Sequence, residues 1–275
     1  MGTLFLVATP IGNLEDISAR ALRTLAEVQL IAVEDTRQTR KLLNHFKITT
    51  RMTSYYEYNK ISKLDSILGM LETGDVALVS DAGTPALNDP GYELVQAALQ
   101  AGHNVSPIPG ASAPVAALVV SGLPTDSFAY LGYLPRKSSE RCRFIKEVEN
   151  LPYTLIFLET PHRLLASLSD LQEILGDRQM AAAREMTKLH EEILRSPISK
   201  IREHFSSQPP RGEFTLVVAG KMINQSALWS DDQLQLAIRE GLLNGEAPSA
   251  LAARLADESG WQRRKIYQKI TESKD

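Results

Sequence analysis

Two short clusters set carboxylates beside cations: Glu34-Asp35-Thr36-Arg37 and Arg184-Glu185-Met186-Thr187-Lys188. Such clusters are more often salt-bridge networks than catalytic groups. Each one here directly follows an apolar run of strand character, and that placement gives it a second reading as part of a site. Three further segments have the composition of ligand loops. They are Thr9-Pro10-Ile11-Gly12-Asn13, the run Ser80-Asp81-Ala82-Gly83-Thr84-Pro85-Ala86-Leu87-Asn88-Asp89-Pro90-Gly91, and Pro107-Ile108-Pro109-Gly110-Ala111-Ser112-Ala113. Proline fixes the backbone and glycine lets it turn tightly, so backbone amides can approach a ligand. In parallel α/β sheets ligands sit at the carboxyl ends of strands. One such loop would read as a tight turn; three at equivalent positions point to a built site. Other chemistries are excluded. No G-x-x-x-x-G-K-[ST] occurs, and no G-x-G-x-x-G follows the first apolar run, which argues against a P-loop nucleotidase and an ordinary dinucleotide-binding fold. The five histidines lack metal-ligand spacing, and the single Cys142 excludes a disulfide framework or a multi-cysteine zinc site, so no metal is expected.

The elements that must carry these loops follow from periodicity. Residues 3–8, 30–33, 76–80 and 105–108 read as strands, the last at a sheet edge because of Pro107 and Pro109. Helices are expected from Ile17 to Val28 behind an N-cap at Asp16 or Ser18, and at 61–72, 91–101 and 113–121. A second series has strands at 128–133, 154–158, 179–183 and 215–219, helices at 139–150, 161–175 and 199–206, and a proline-containing loop at 208–212. The alternation predicts an α/β protein of two αβα lobes, residues 1–122 and 123–224, with a cleft between them. Residues 225–275 read as a small helical module, with helices at 231–244, 248–259 and 261–273. The spacing of Ala256, Gly260 and Ile266 resembles a helix-turn-helix. Trp261, Arg263, Arg264, Lys265, Tyr267 and Lys269 then suit nucleic-acid contact, although a dimerisation or capping module fits the pattern equally. A second basic zone, Arg136, Lys137, Arg141, Arg143 and Lys146, reads equally as a nucleic-acid contact or a solvated helix face.

The 275 residues carry 30 Lys and Arg against 33 Asp and Glu, a net charge of −3, and 43% are hydrophobic. That balance excludes a protein that binds polyanions with its whole surface and leaves room for a local basic patch. The longest apolar run, 113–120, is far too short to span a membrane, and the strand-like start leaves no room for a signal peptide. A cytoplasmic, soluble protein without a membrane partner is expected.

The motifs together resemble one family. Val7-Ala8-Thr9-Pro10-Ile11-Gly12-Asn13-Leu14, with Asp16-Ile17 and Arg20-Ala21, looks like the opening motif of the small-subunit ribosomal RNA (cytidine) 2′-O-methyltransferases, within the tetrapyrrole-methylase superfamily. Glu34-Asp35-Thr36-Arg37, Ser80-Asp81-Ala82-Gly83-Thr84-Pro85, Asp89-Pro90-Gly91, Pro109-Gly110, Ser121-Gly122-Leu123-Pro124, Pro161-His162-Arg163-Leu164 and Arg184-Glu185-Met186-Thr187-Lys188 match that pattern in order. The likeness covers about residues 3 to 220, and the basic tail also resembles the family's C-terminus. One departure is Leu158 before Glu159, where the family often has an aromatic residue. The resemblance implies S-adenosylmethionine held between the lobes of a homodimer, with RNA of the small ribosomal subunit as substrate. It implies that Pro10, Asp81, Gly83 and Leu87 line the cofactor pocket, with Ser112 and Ala113 beneath it. Leu158, Met186, Thr215 and Leu216 would close the pocket from the second lobe. For removal of the ribose hydroxyl proton the candidates are Asp35, Glu185 and Lys188, with Arg37 steering an adjacent phosphate and Glu34 as its alternative partner. Two other readings are a methylase of a tetrapyrrole or other small molecule on the same fold, and a non-catalytic RNA-binding assembly factor.

Overall fold

The computed structural model describes residues 2–221 and 229–272. The expected junction at 224/225 and the expected helix end at Ser273 lie outside the described residues. Residues 1–220 form one compact unit and 221–275 another.

The first unit opens with β1 (Thr3–Val7), α1 (Ala19–Glu27), β2 (Leu30–Val33), α2 (Thr36–His45), β3 (Met52–Ser54), α3 (Lys60–Leu71), β4 (Val76–Val79), α4 (Tyr92–Gln100) and β5 (Asn104–Ile108). The strands form an all-parallel sheet in the order β3-β2-β4-β1-β5. Its inner strands β2 and β4 are continuous apolar runs because both faces are covered. Leu4, Leu30, Val76 and Leu78 pack on Ile67 and Leu71 of α3 and Leu94 of α4. Val7, Ile31, Ala77 and Val79 pack on Ala21 and Leu25 of α1 and Leu43 of α2. Ser18 caps α1 by accepting from Ala21 N at 3.0 Å, whereas Asp16 belongs to a short 3-10 turn. The edge position of β5 accommodates Pro107. Because every strand runs the same way, the loops that follow β4, β1 and β5 emerge side by side at one edge.

α5 (Ala113–Val120) leads to β6 (Phe128–Tyr133), α6 (Ser138–Val148), β7 (Thr154–Glu159), α7 (Leu164–Leu175), β8 (Gln179–Arg184), β9 (Glu192–Pro197), α8 (Ile198–Ser207) and β10 (Phe214–Val218). This sheet is mixed, in the order β6-β7-β10-β8-β9, and only β6 and β7 are parallel. One face carries Leu155, Phe157, Leu216 and Val218 against Ile145, Leu168, Ile201 and Phe205 of α6, α7 and α8. The other carries Ile156, Ala181, Ala183 and Val217 against Ala117 and Leu118 of α5. α5 thus packs on the second sheet although it follows β5 in the chain.

In the second unit α9 (Asp231–Leu243), α10 (Pro248–Ser259) and α11 (Arg263–Glu272) enclose a small core of Leu234, Ile238, Leu251, Leu255, Ile266 and Ile270. A capping box from Ser230 and Gln233 starts α9. Ile266 is fully buried, as the turn spacing predicts. Trp261 Nε1 donates to the Trp229 carbonyl at 2.7 Å, which fixes the entry into α11.

Candidate active site

A cleft of about 260 Å³ opens where the carboxyl ends of β1, β4 and β5 meet the end of the second sheet. From the first sheet come Ile11, Glu34, the 81–84 and 87–89 segments, and Ser112 to Pro114. The β1 and β4 loops are tied together by a two-residue bridge in which Thr9 and Gly83 exchange N–H···O bonds of 2.9 Å each. Thr84 Oγ1 donates to the Ala111 carbonyl at 3.1 Å and ties in the β5 loop. From the second sheet come Tyr130, Tyr133, Leu158, Glu185, Met186, Lys188, Glu213, Phe214 and Thr215. Strand register explains their meeting: Leu158, Thr215 and Ala183 lie side by side, as do Glu159, Phe214 and Arg184. The end of β7 is anchored from below. The buried Glu159 carboxylate accepts from Ser167 Oγ at 2.6 Å and Thr160 N at 2.7 Å and pairs with Arg163 at 2.7 Å.

The two lobes approach closely at the cleft. A Cβ on Gly12 would collide with Lys188 Cγ and lie 2.8 Å from Thr187 Oγ1, so only glycine lets the β1 loop pass the 185–188 turn. Gly212 has φ +76°, and a Cβ there would collide with the Glu185 side chain. Among the described residues, four of the five non-glycine residues with positive φ sit in two loops of the site, Ala86 and Asn88 in the loop after β4 and Glu185 and Thr187 in the turn after β8. Left-handed backbone at ordinary residues costs energy and is concentrated here, where loops are shaped for a ligand.

Ten of the fourteen residues expected at the site line the cleft: Asp81, Gly83, Leu87, Ser112, Ala113, Leu158, Glu185, Met186, Lys188 and Thr215. Four do not. Pro10 is outside the lining, which its neighbour Ile11 provides instead. Leu216 is fully buried on the far face of β10, because alternate side chains of a strand point to opposite faces and Thr215 takes the cleft side. Asp35 caps α2, accepting from Arg37 N at 2.8 Å, and is clasped by the Arg37 guanidinium, whose Nη2 reaches its Oδ2 at 2.7 Å. The Arg37 side chain is 86% exposed outside the lining. Hydrogen bonds from Arg37 hold the Asp35 carboxyl at about 2. Glu34, which the sequence leaves as a partner for Arg37, lines the cleft instead.

Glu34, Asp81 and Asp89 are all raised above the ordinary carboxylate range, chiefly by burial and then, for Glu34, by the charges of Asp89 and Asp81. Backbone amides cross-link them: Asp35 N donates to Asp81 Oδ1 at 3.0 Å and Asp81 N to Glu34 Oε2 at 3.5 Å. Glu185 is lowered, above all by Lys188, whose Nζ donates to Glu185 Oε1 at 2.9 Å. Burial works against the Lys188 charge, but Glu185 and Glu213 outweigh it and its ammonium is raised. Burial lifts Tyr130 to about 12. Glu34, Asp89, Tyr130, Tyr133 and Glu213 are cleft residues that sequence reasoning missed. Glu34 and Asp89 stand in quoted motifs without being assigned to the cleft; Tyr130, Tyr133 and Glu213 are brought in by the direction in which a strand end faces. One basic zone is also revised. Arg141 is buried, and its Nε and Nη2 both bond Asp170 Oδ2 at 2.6 Å, so it supports the α6–α7 contact instead of facing RNA.

The lining fits the cofactor that the resemblance implies. Ile11, Leu87, Ala113, Leu158 and Met186 offer apolar walls to a planar base. Ser112 makes no side-chain cap at the start of α5, and with Pro114 lacking an N–H the Ala113 and Val115 amides are the first-turn donors open to a carboxylate. Among the charged lining residues, five are acidic and Lys188 is the single cation, which suits a ligand of net positive charge such as a sulfonium.

Residues 3–202 match the family model of tetrapyrrole (corrin/porphyrin) methylases. A Synechocystis protein named ribosomal RNA small subunit methyltransferase I is 45% identical over 270 residues, 98% of this chain and 97% of that one. A Thermotoga maritima protein of the same name is 47% identical over 222 residues, 80% of this chain and all of its own length. Among solved structures, diphthine synthase superposes with a TM-score of 0.63 at 15% identity, covering 80% of this chain and 90% of that chain, a likeness of fold. The chain therefore belongs to the tetrapyrrole methylases and, within them, to the group of the ribosomal RNA small subunit methyltransferases I.

Proposed function

We infer that this chain is an S-adenosylmethionine-dependent methyltransferase of ribosomal RNA, and that the group it methylates is a ribose 2′-hydroxyl of a cytidine in the small-subunit RNA. The observation that carries the reading is the cleft at which loops from three parallel strands meet the 185–188 turn of the second sheet. Its near full-length likeness to the Synechocystis enzyme supports the RNA substrate over a tetrapyrrole or a purely structural role. When bound, the cofactor supplies an electrophilic methyl group on a sulfonium. The chain's own task is to hold an oxygen nucleophile in line with it and to accept the hydroxyl proton.

Asp35 is a poor base because Arg37 stabilises its charge, and Lys188 is held protonated. Glu34 is better suited, with a carboxylate in the cleft whose affinity for a proton is raised by burial. The Lys188–Glu185 pair closes the turn that carries Met186 and Thr187, with an ion pair at 2.9 Å and a backbone bond from Lys188 N to the Glu185 carbonyl at 3.1 Å. A second copy of the chain fits the outward face of α5, where Val115 and Val119 are 48% and 65% exposed on a helix without a charged residue. The cytoplasm is the compartment this substrate implies, and no described helix is long and apolar enough to cross a membrane.

Labelled cofactor incubated with small ribosomal subunits, free ribosomal RNA and a porphyrin precursor tests the reading. Label is expected in the RNA, in a dinucleotide that resists alkali. Label on a base, or on the porphyrin alone, overturns it.

A further inference from the structure

A second cavity, of about 430 Å³, lies beside the cleft, and Glu185 lines both. Its other charged or titratable walls are Arg184, His190 and Arg211, at the end of β8, in the β8–β9 turn and in the loop before β10. Glu185 is already neutralised: Lys188 Nζ donates to its Oε1 at 2.9 Å and Glu213 N at 3.2 Å. Arg184 reaches Glu192 through one terminal nitrogen at 3.1 Å, while its Nε is buried without a hydrogen-bond partner among the described residues. Arg211 and His190 are exposed, with no carboxylate partner among the described residues. The cavity is therefore cationic, while the cleft across the Glu185 partition is acidic.

That contrast matters for a polyanion. A nucleotide whose ribose enters the acidic cleft keeps its phosphodiesters attached, and the carboxylates of Glu34, Asp81 and Asp89 repel them. This cavity is a cationic surface that shares a wall, Glu185, with the cleft. We propose that it seats a phosphodiester of the RNA strand adjoining the methylated ribose, gripped by Arg211 and Arg184 with His190 at the rim. Arginine suits the role because its planar fork of donors matches phosphate oxygens. Glu185 then acts as a positioning residue for both cavities, held by Lys188 on one side and by the backbone of the 211–213 loop on the other. The proposal rests on the RNA reading above and adds to it the place where the strand leaves the cleft.

The test compares full-length wild type with Arg211→Ala and Arg211→Lys, following methyl transfer to RNA across a salt series. Arg211→Ala is expected to raise the RNA KM about tenfold or more, since a charged hydrogen bond disappears. It should also make the dependence of log affinity on log salt shallower by about 0.7–0.9. The loss should fall on KM and not on cofactor affinity or melting temperature, and Arg211→Lys should recover part of it. Unchanged KM and salt slope in Arg211→Ala overturn the proposal while leaving the RNA reading intact. A wild-type enzyme that methylates no RNA overturns both. Titration with inorganic phosphate separates a further outcome: phosphate binding abolished in Arg211→Ala without any change in RNA KM assigns the cavity to a small free anion and also overturns the proposal.

Discussion

Adjacent carboxylates can be given opposite proton affinities by what surrounds them, and Glu34 and Asp35 are such a pair. Glu34 faces a half-buried acidic cleft, and its carboxyl is raised; Asp35 meets the Arg37 guanidinium and sits at about 2. A carboxyl raised in the fold contributes stability below its unfolded pKa and loses it as pH rises through the folded value. Glu34→Gln keeps the uncharged state at every pH. It should therefore raise the melting temperature at pH 7 while lowering kcat by about 10²–10⁴-fold, the usual worth of a general base. A variant that keeps wild-type kcat would remove Glu34 from the chemistry. For Asp35 the sign is reversed. Its depressed carboxyl contributes stability above the unfolded value near 3.8, lost as pH falls through about 2. Asp35→Ala should melt earlier than wild type at neutral pH, with the gap closing in strong acid. If instead it melts normally at pH 7 and loses all turnover, Asp35 acts in the reaction and not in the cap.

At the scale of elements, alternation along a strand separates site from core. Thr215 and Leu216 are neighbours in β10, yet Thr215 lines the cleft and Leu216 packs with Phe157, Phe205 and Leu168. Leu216→Ala should cost about 2–5 kcal/mol of stability through the cavity it leaves. Leu158→Ala, at a half-buried cleft position, should cost much less and act on cofactor affinity instead. Denaturant melts beside cofactor titrations separate the two, and equal stability losses would sink the assignment of faces. The main strands were legible because two-sided burial writes them as unbroken apolar runs, as in Leu30–Val33 and Val76–Val79. Elements that sequence reading missed lack that signature. β3 and β9 are edge strands, with Met52–Ser54 and Glu192–Pro197 only partly buried. α2 presents Leu42 and Leu43 as its only large apolar side chains and is nucleated by the Asp35 cap, a signal that reads equally as a catalytic cluster. The cleft itself was legible from three glycine- and proline-rich loops after strands, whereas Glu34, Tyr130 and Glu213 depended on facing directions that spacing does not encode.

At the scale of the whole molecule, an acidic chain must concentrate its affinity for RNA in a few places. In residues 221–275 several cations are already engaged. Arg254 sits between Glu246 and Glu258, at 2.7 and 3.0 Å, and Lys269 pairs with Asp231 at 2.7 Å and lies 5.6 Å from the Trp261 ring centre. Arg264 and Lys265 remain exposed at the start of α11 without a carboxylate partner among the described residues. The Thermotoga relative matches over 222 residues and its whole length, close to the length of the 1–220 unit. The tail is expected to add RNA affinity and not cofactor affinity. The double variant Arg264→Ala, Lys265→Ala should leave cofactor binding unchanged, weaken RNA binding at low salt, and flatten the salt dependence by about 0.7–0.9 for each phosphate that is no longer neutralised. Neither residue belongs to the buried core of the tail, so its melting should not change. RNA affinity and salt slope indistinguishable from wild type would reassign the three-helix unit to dimerisation or capping, and sedimentation of the full-length protein beside a chain cut after residue 220 would then show whether its removal changes the oligomer.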